Sequence, residues 1–293
     1  MAPGGADEST LFHRDPPAPG HRLRIGREET RMTKPRILIS NDDGVRAPGL
    51  AALADELRTI GRVTVVAPDR ERSAASHSLT VEIPLRANYL SDDVIGVAGT
   101  PTDCVLLAID NLLPETPHVV VSGINRGPNV GNDVTYSGTV AAAMEATILG
   151  VPAMAVSLGH SESGEYDYRF AARVARELTL LILDTGLPEG TLLNVNVPNI
   201  PESEIGGIEV ARLGRQVYED SIVPAVDPRG RTYYWIGGSS SNWKEQHDTD
   251  IAALNRGCVA LTPIHLDLTD YAAMDSIASW SLDDVAKAAG EGK

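Results

Sequence analysis

Two adjacent carboxylates, Asp42 and Asp43, follow the apolar run 37–40 with only Asn41 between, and Gly44 comes next. A strand that empties into an acidic doublet places charge where parallel α/β sheets bind ligands, at the carboxyl ends of their strands. Oxygen donors with no nearby His or Cys suit a hard cation such as Mg²⁺ or Mn²⁺ rather than zinc. The structural alternative is an Asx turn with its carboxylates in solvent.

Three further segments could join that chemistry. After the apolar run 63–67 comes Pro68-Asp69-Arg70-Glu71-Arg72-Ser73, with His77 close behind. Ser73 can supply a hydroxyl ligand, Arg70 and Arg72 bring positive charge, and His77 is a candidate acid or substrate contact. The same run also reads as a solvated charge cluster. After the apolar run 119–122 comes Gly123-Ile124-Asn125-Arg126-Gly127-Pro128-Asn129. If runs 37–40 and 119–122 are neighbouring strands, Asn125 brings a neutral carbonyl oxygen beside Asp42 and Asp43. Tyr136-Ser137-Gly138-Thr139 opens a helical pattern, where free N–H groups and hydroxyls form an anion pocket or an ordinary N-cap.

These loops need a scaffold that brings strand ends together. Short apolar runs at 37–40, 63–67, 94–97, 119–122, 153–157 and 192–197 read as buried strands. Between them, Leu50, Leu53, Leu57 and Ile60 share one helical face, Val140, Met144 and Ile148 share another, and 168–183 forms a third helix. Strands alternating with helices predict an α/β fold, a Rossmann-like doubly wound and mostly parallel sheet. Beyond Pro198, 207–213 and 232–236 are expected to form a projecting hairpin around the Asp-Pro-Arg-Gly turn at 227–230. Residues 259–263 read as a strand and 276–289 as a last helix.

The ordered set Asn-Asp-Asp-Gly, Ala-Pro-Asp-x-x-x-Ser, Ser-Gly-Ile-Asn-x-Gly and Tyr-Ser-Gly-Thr resembles the SurE (survival protein E) family of metal-dependent nucleotidases. The resemblance spans about residues 35–280 and includes Gly99-Thr100-Pro101-Thr102-Asp103-Cys104. It implies one divalent metal ion per subunit, held by Asp42, Asp43, Ser73 and Asn125. It also implies homodimers or homotetramers that exchange the hairpin and C-terminal segment, and hydrolysis of nucleoside 5′- and 3′-monophosphates, with short polyphosphate as a further substrate. Ser137, Gly138 and Thr139 are then the candidates for the non-bridging phosphate oxygens, Asn41 for a further contact, and Asp42 or Asp43 for orienting an attacking water. An aspartyl-phosphate on either carboxylate is the competing route.

Charge and composition bound the remaining classes. Acidic residues number 40 against 25 basic ones, and residues 1–31 hold five of each, so the other 262 carry the whole net charge of −15. Such a surface repels a nucleic-acid backbone, and no apolar run reaches the length of a membrane span. The stretch 1–31, rich in Gly, Pro, Arg and Glu, reads as a disordered leader ahead of a single domain over 32–293, with Met32 a candidate start. Two widely separated cysteines in apolar surroundings fit reduced thiols and a cytoplasmic setting. A haloacid-dehalogenase-type phosphatase would need a second aspartate two residues after the first, where Gly44 stands instead of an acid after Asp42. A nicotinamide enzyme would need a glycine fingerprint where the acidic doublet lies. The non-enzyme alternative is a nucleotide or metal sensor, since binding alone would use the same residues.

Overall fold

The computed structural model of the chain describes residues 34–161, 163–218, 222–236, 241–243 and 246–290. The leader expected over 1–31 and the start expected at Met32 lie outside the described residues. In chain order the elements begin β1 (Arg36–Ser40), α1 (Pro48–Leu57), β2 (Arg62–Pro68), β3 (Ala87–Ser91), β4 (Val94–Val97), α2 (Pro101–Leu107), β5 (Val119–Arg126), α3 (Gly138–Ile148), β6 (Ala153–Leu158), α4 (Arg169–Thr185) and β7 (Thr191–Val197). They continue with β8 (Ile208–Val210), β9 (Gln216–Tyr218), β10 (Ile222–Val226), β11 (Thr232–Ile236), β12 (Ser241–Trp243), α5 (Asp250–Asn255), β13 (Val259–His265), α6 (Tyr271–Ala278) and α7 (Leu282–Gly290).

The main sheet runs β3-β4-β2-β1-β5-β6-β7-β13-β8. The six central strands from β4 to β7 are parallel, and antiparallel pairs occur only at β3 with β4 and at β13 with β7. From β1 the chain winds outward through β2 to β4, then returns to β5 on the other side of β1 and winds the opposite way. The carboxyl ends of β1 and β5 therefore flank a topological switch point, where open α/β sheets form their ligand crevice.

Helices cover both faces, which is why the central strands read as continuous apolar runs rather than alternating ones. On one face α1 and α4 bury Leu50, Leu53, Leu57, Ala175, Leu178 and Ile182 against Ile37, Ile39, Val119 and Val121. Ile60 lies beyond the end of α1 and packs partly against the same core. On the other face α2 and α3 bury Cys104, Val105, Val140, Ala142, Ala143 and Ala146 against Leu38, Val66 and Val120. The small side chains of α3 let it settle close to the sheet, and most of its residues are buried.

Two elements of the C-terminal third differ from the sequence reading. The hairpin pairs β10 with β11, whereas 208–210 joins the edge of the main sheet parallel to β13. The turn at 227–230 is where expected: Asp227 Oδ1 accepts the N–H groups of Arg229 and Arg231 at 2.8 and 2.9 Å. So tight a turn pairs only the residues immediately beside it, and Pro224 made the first strand hard to see. The single helix expected over 276–289 is two, α6 and α7, broken around Ser279, whose hydroxyl donates to Ser276 O at 2.7 Å in competition with the helical ladder. The short helix α2 carried an unread signal, a capping box between Thr100 and Asp103 with Pro101 at its first position.

Candidate functional site

The turn after β1 is built by Asn41 and Gly44. Asn41 is fully buried, its Nδ2 donates to Gly44 O at 3.1 Å, and its Oδ1 accepts from Gly44 N at 3.2 Å. Gly44 sits at φ +99, and a Cβ there would lie 3.0 Å from the Arg70 carbonyl carbon, so glycine is required. Asn41 therefore shapes the loop that presents the carboxylates. Both ends of its amide are committed to Gly44 and it is absent from the cleft lining, which fits the supporting role among the contacts expected of it.

Asp42 and Asp43 leave this turn in different environments. Asp42 is 5% exposed, and its Oδ1 accepts a hydrogen bond from Thr139 Oγ1. Burial is the main cause that pushes its carboxyl up to about 6, with Asp43 adding repulsion against Thr139's opposing hydrogen bond. Asp43 is more open, and its Oδ2 accepts from Arg126 N at 3.2 Å. Its carboxyl is also raised by burial, partly offset by the Arg126 hydrogen bond.

The second loop reaches the same place from β2. Arg72 N donates to Asp42 O at 2.7 Å, tying the loop to the acidic turn, and Ser73 Oγ donates to Glu71 Oε1 at 2.7 Å. Ala74 and Ser76 adopt left-handed backbone with φ 57 and 55. Ser76 is held there by donating N–H to Tyr136 O at 3.1 Å and its hydroxyl to Thr135 O at 2.7 Å, so the loop is pinned to the segment leading into α3.

The third loop ends β5, whose register beside β1 pairs Ile37 with Val119 and Ser40 with Ser122. That register carries Asn125 toward the acidic turn. Its Nδ2 donates to Gly127 O at 2.8 Å, so the amide oxygen is the atom left to bind a cation. The following residues are locked from β7: Asn129 N donates to Asn196 Oδ1 at 2.8 Å, and Asn129 O accepts from Asn194 and Asn196. Asp250, from the late segment, accepts the N–H groups of Gly131 and Gly214 at 2.8 Å each.

At the start of α3, Ser137 is the N-cap and its Oγ accepts from Val140 N at 3.1 Å. Gly138 is forced by its neighbours: a Cβ would lie 2.7 Å from Asp42 Cβ and 3.0 Å from both Asp42 Oδ2 and Pro101 Cγ. Thr139 is fully buried and spends its hydroxyl on Asp42. Of the three residues expected to hold phosphate, Ser137 alone lines the cleft, while Gly138 and Thr139 stand behind Asp42 and position it.

Asp42, Asp43, Ser73, Asn125 and Ser137 thus share one cavity of about 1230 Å³. His77 does not line it; its Nε2 lies 2.8 Å from Glu145 Oε2 on α3. Glu71, Arg126, Asp133, Tyr166, Tyr168 and the hairpin's Ile236 complete the wall in ways the motifs did not announce. The tyrosines had a faint signal, a pair two residues apart before an amphipathic helix in a chain with 4% aromatics.

Two carboxylates raised by burial, a hydroxyl and an amide oxygen form a donor set that suits a hard divalent cation, whose charge would offset what burial costs the carboxylates. Among the described residues no cluster of three or more His, Cys, Asp or Glu side chains offers a rival metal site.

The family profile Survival protein SurE matches residues 37–220. The 5'-nucleotidase SurE of Geobacter sulfurreducens is 52% identical over 255 residues, covering 87% of this chain and 97% of the relative. That of Pelobacter propionicus is 53% identical over 247 residues, covering 83% and 98%. The crystal structure of the SurE protein from Aquifex aeolicus superimposes with a TM-score of 0.75 at 44% identity, covering 83% of this chain and 98% of that one.

Proposed function

Since the chain belongs to the Survival protein SurE family, we propose that it is a phosphomonoesterase that hydrolyses nucleoside 5′- and 3′-monophosphates with one divalent ion, Mg²⁺ or Mn²⁺, in the site. The observation that carries this reading is the convergence of Asp42, Asp43, Ser73 and Asn125 at the sheet's switch point, with the N-cap of α3 on the same cavity. A bound cation would reduce the repulsion between a phosphate dianion and its nucleophile and polarise the phosphoryl group. The protein does the rest by position. Thr139 and the Gly138 backbone hold Asp42 at one orientation, and the more open Asp43 is placed to orient an attacking water. Ser137, at the helix N-terminus, faces the anionic end of the substrate.

The same reading makes the chain a homo-oligomer. Trp235, Tyr234 and Ile236 on β11 and Trp280, Tyr271 and Val285 on the last two helices are exposed, large apolar side chains of the kind that interfaces use. Exchange of the hairpin and C-terminal helices between copies would cover it. Cys104 and Cys258 are free and buried, which supports a reducing compartment such as the cytoplasm. Among the described residues no helix is long and apolar enough to cross a membrane.

The test is phosphate release from 5′- and 3′-nucleoside monophosphates with Mn²⁺, Mg²⁺ or EDTA, on wild type and Asp43→Asn. Metal-dependent release that falls by about 10³-fold or more in the variant is expected. Binding of AMP with no release by a folded wild-type protein would instead mark a sensor.

A further inference from the structure

A phosphate dianion entering the cleft meets carboxylates from Asp42, Asp43, Glu71 and Asp133. Arg126 is the one cationic side chain among the described residues of that lining. Arg173 and Arg176 spend their guanidinium groups on Glu202 and Glu56, but that of Arg126 takes part in no ion pair among the described residues. It lies 4.7 Å from the ring centroid of Tyr166, and Tyr166 stacks on Tyr168 with centroids 6.2 Å apart and planes at 19°. The backbone N–H of Arg126 is bonded to Asp43, and Asn125 precedes it, so its side chain springs from the same strand end as the proposed cation ligands.

Each of these contacts leaves the fork of N–H donors unspent. An attraction between the guanidinium and the ring face occupies no hydrogen-bond acceptor, so the five N–H groups remain able to donate. A guanidinium over an aromatic ring and next to a cation site can offer a phosphoryl group two parallel charge-assisted hydrogen bonds.

We infer that Arg126 binds the phosphoryl group of the substrate through its N–H fork, with Tyr166 and Tyr168 as the platform that orients it; this rests on the phosphomonoesterase reading above. Arg126 is then a specificity residue for phosphate monoesters of any base, and a lysine cannot replace it.

The test is calorimetric titration of inorganic phosphate into the Mn²⁺-loaded full chain, alongside kcat and KM for AMP and p-nitrophenyl phosphate. Arg126→Gln and Arg126→Lys are expected to weaken phosphate binding by about 10- to 100-fold and to raise KM for both esters alike. Mn²⁺ affinity, read by electron paramagnetic resonance, should stay within about twofold. Tyr166→Leu keeps the charge but removes the platform, and should weaken phosphate binding by about 3- to 10-fold, whereas Tyr166→Phe should not. Phosphate affinity of Arg126→Gln within about twofold of wild type, or a KM change confined to AMP, would overturn the inference. If wild type releases no phosphate from any monophosphate, the phosphomonoesterase reading fails instead, and the phosphate titration still decides whether Arg126 binds the anion.

Discussion

Around Asp42 the side chains interlock: Thr139 donates to its carboxylate, Arg72 N to its carbonyl, and Gly138 leaves no room for even a methyl group. Along β11 and through α6 and α7 the opposite holds, with no residue of either helix buried and Trp235 and Trp280 well over half exposed. The acidic turn and its supports all come from the main sheet, its loops and α3, where close packing holds the carboxylates in place. The exposed apolar side chains of β11, α6 and α7 are the surface that the assembly proposed above would cover.

Adding one methyl group should break this contrast most severely. Gly138→Ala pushes against Asp42 and Pro101, and is expected to cost about 1–3 kcal/mol of stability and about 10²-fold in kcat. Thermal unfolding and phosphate release check both; wild-type activity in the variant would mean that the N-terminus of α3 and Asp42 are not tightly coupled.

A second change, which disturbs the packing less, separates stability from activity at the same point. The Asp42 carboxyl is raised from 3.8 to about 6, so ionising it in the folded chain costs free energy that the unfolded chain does not lose. Stability tied to this group is fully present below pH 3.8 and is lost as pH rises through about 6. Asp42→Asn removes the penalty, and with metal chelated should stabilise the protein by about 3 kcal/mol at pH 8 and by little near pH 3.8, while abolishing turnover. Equal unfolding midpoints at pH 8 in EDTA would show that the Asp42 charge is not penalised in the fold.

The smallest effect on the core is expected at the other end of the contrast. Deleting residues 270–293 removes α6 and α7, neither of which buries a side chain in the described chain. At low protein concentration the unfolding free energy should change by less than about 1 kcal/mol, while sedimentation shows a smaller assembly. An assembly of unchanged size would place the interface elsewhere.

What could be read along the chain was whatever depends on near neighbours. Strand runs at 37–40 and 119–122, the acidic doublet, Asn125 and the turn at 227–230 all follow from local periodicity and turn chemistry, and the register of β1 with β5 brings the first three together. The remainder depended on contacts between distant residues. Thr139 and Gly138 read as a phosphate pocket, yet packing of α3 against the acidic turn directs them at Asp42, 97 residues away from Thr139. His77 could have pointed into the cleft but meets Glu145, and the nearness of Arg126 to Tyr166 is a contact that only the fold creates. A residue's type states which bonds it can make, but choosing among them takes the geometry of folded neighbours, whose burial also moves carboxyls such as Asp42.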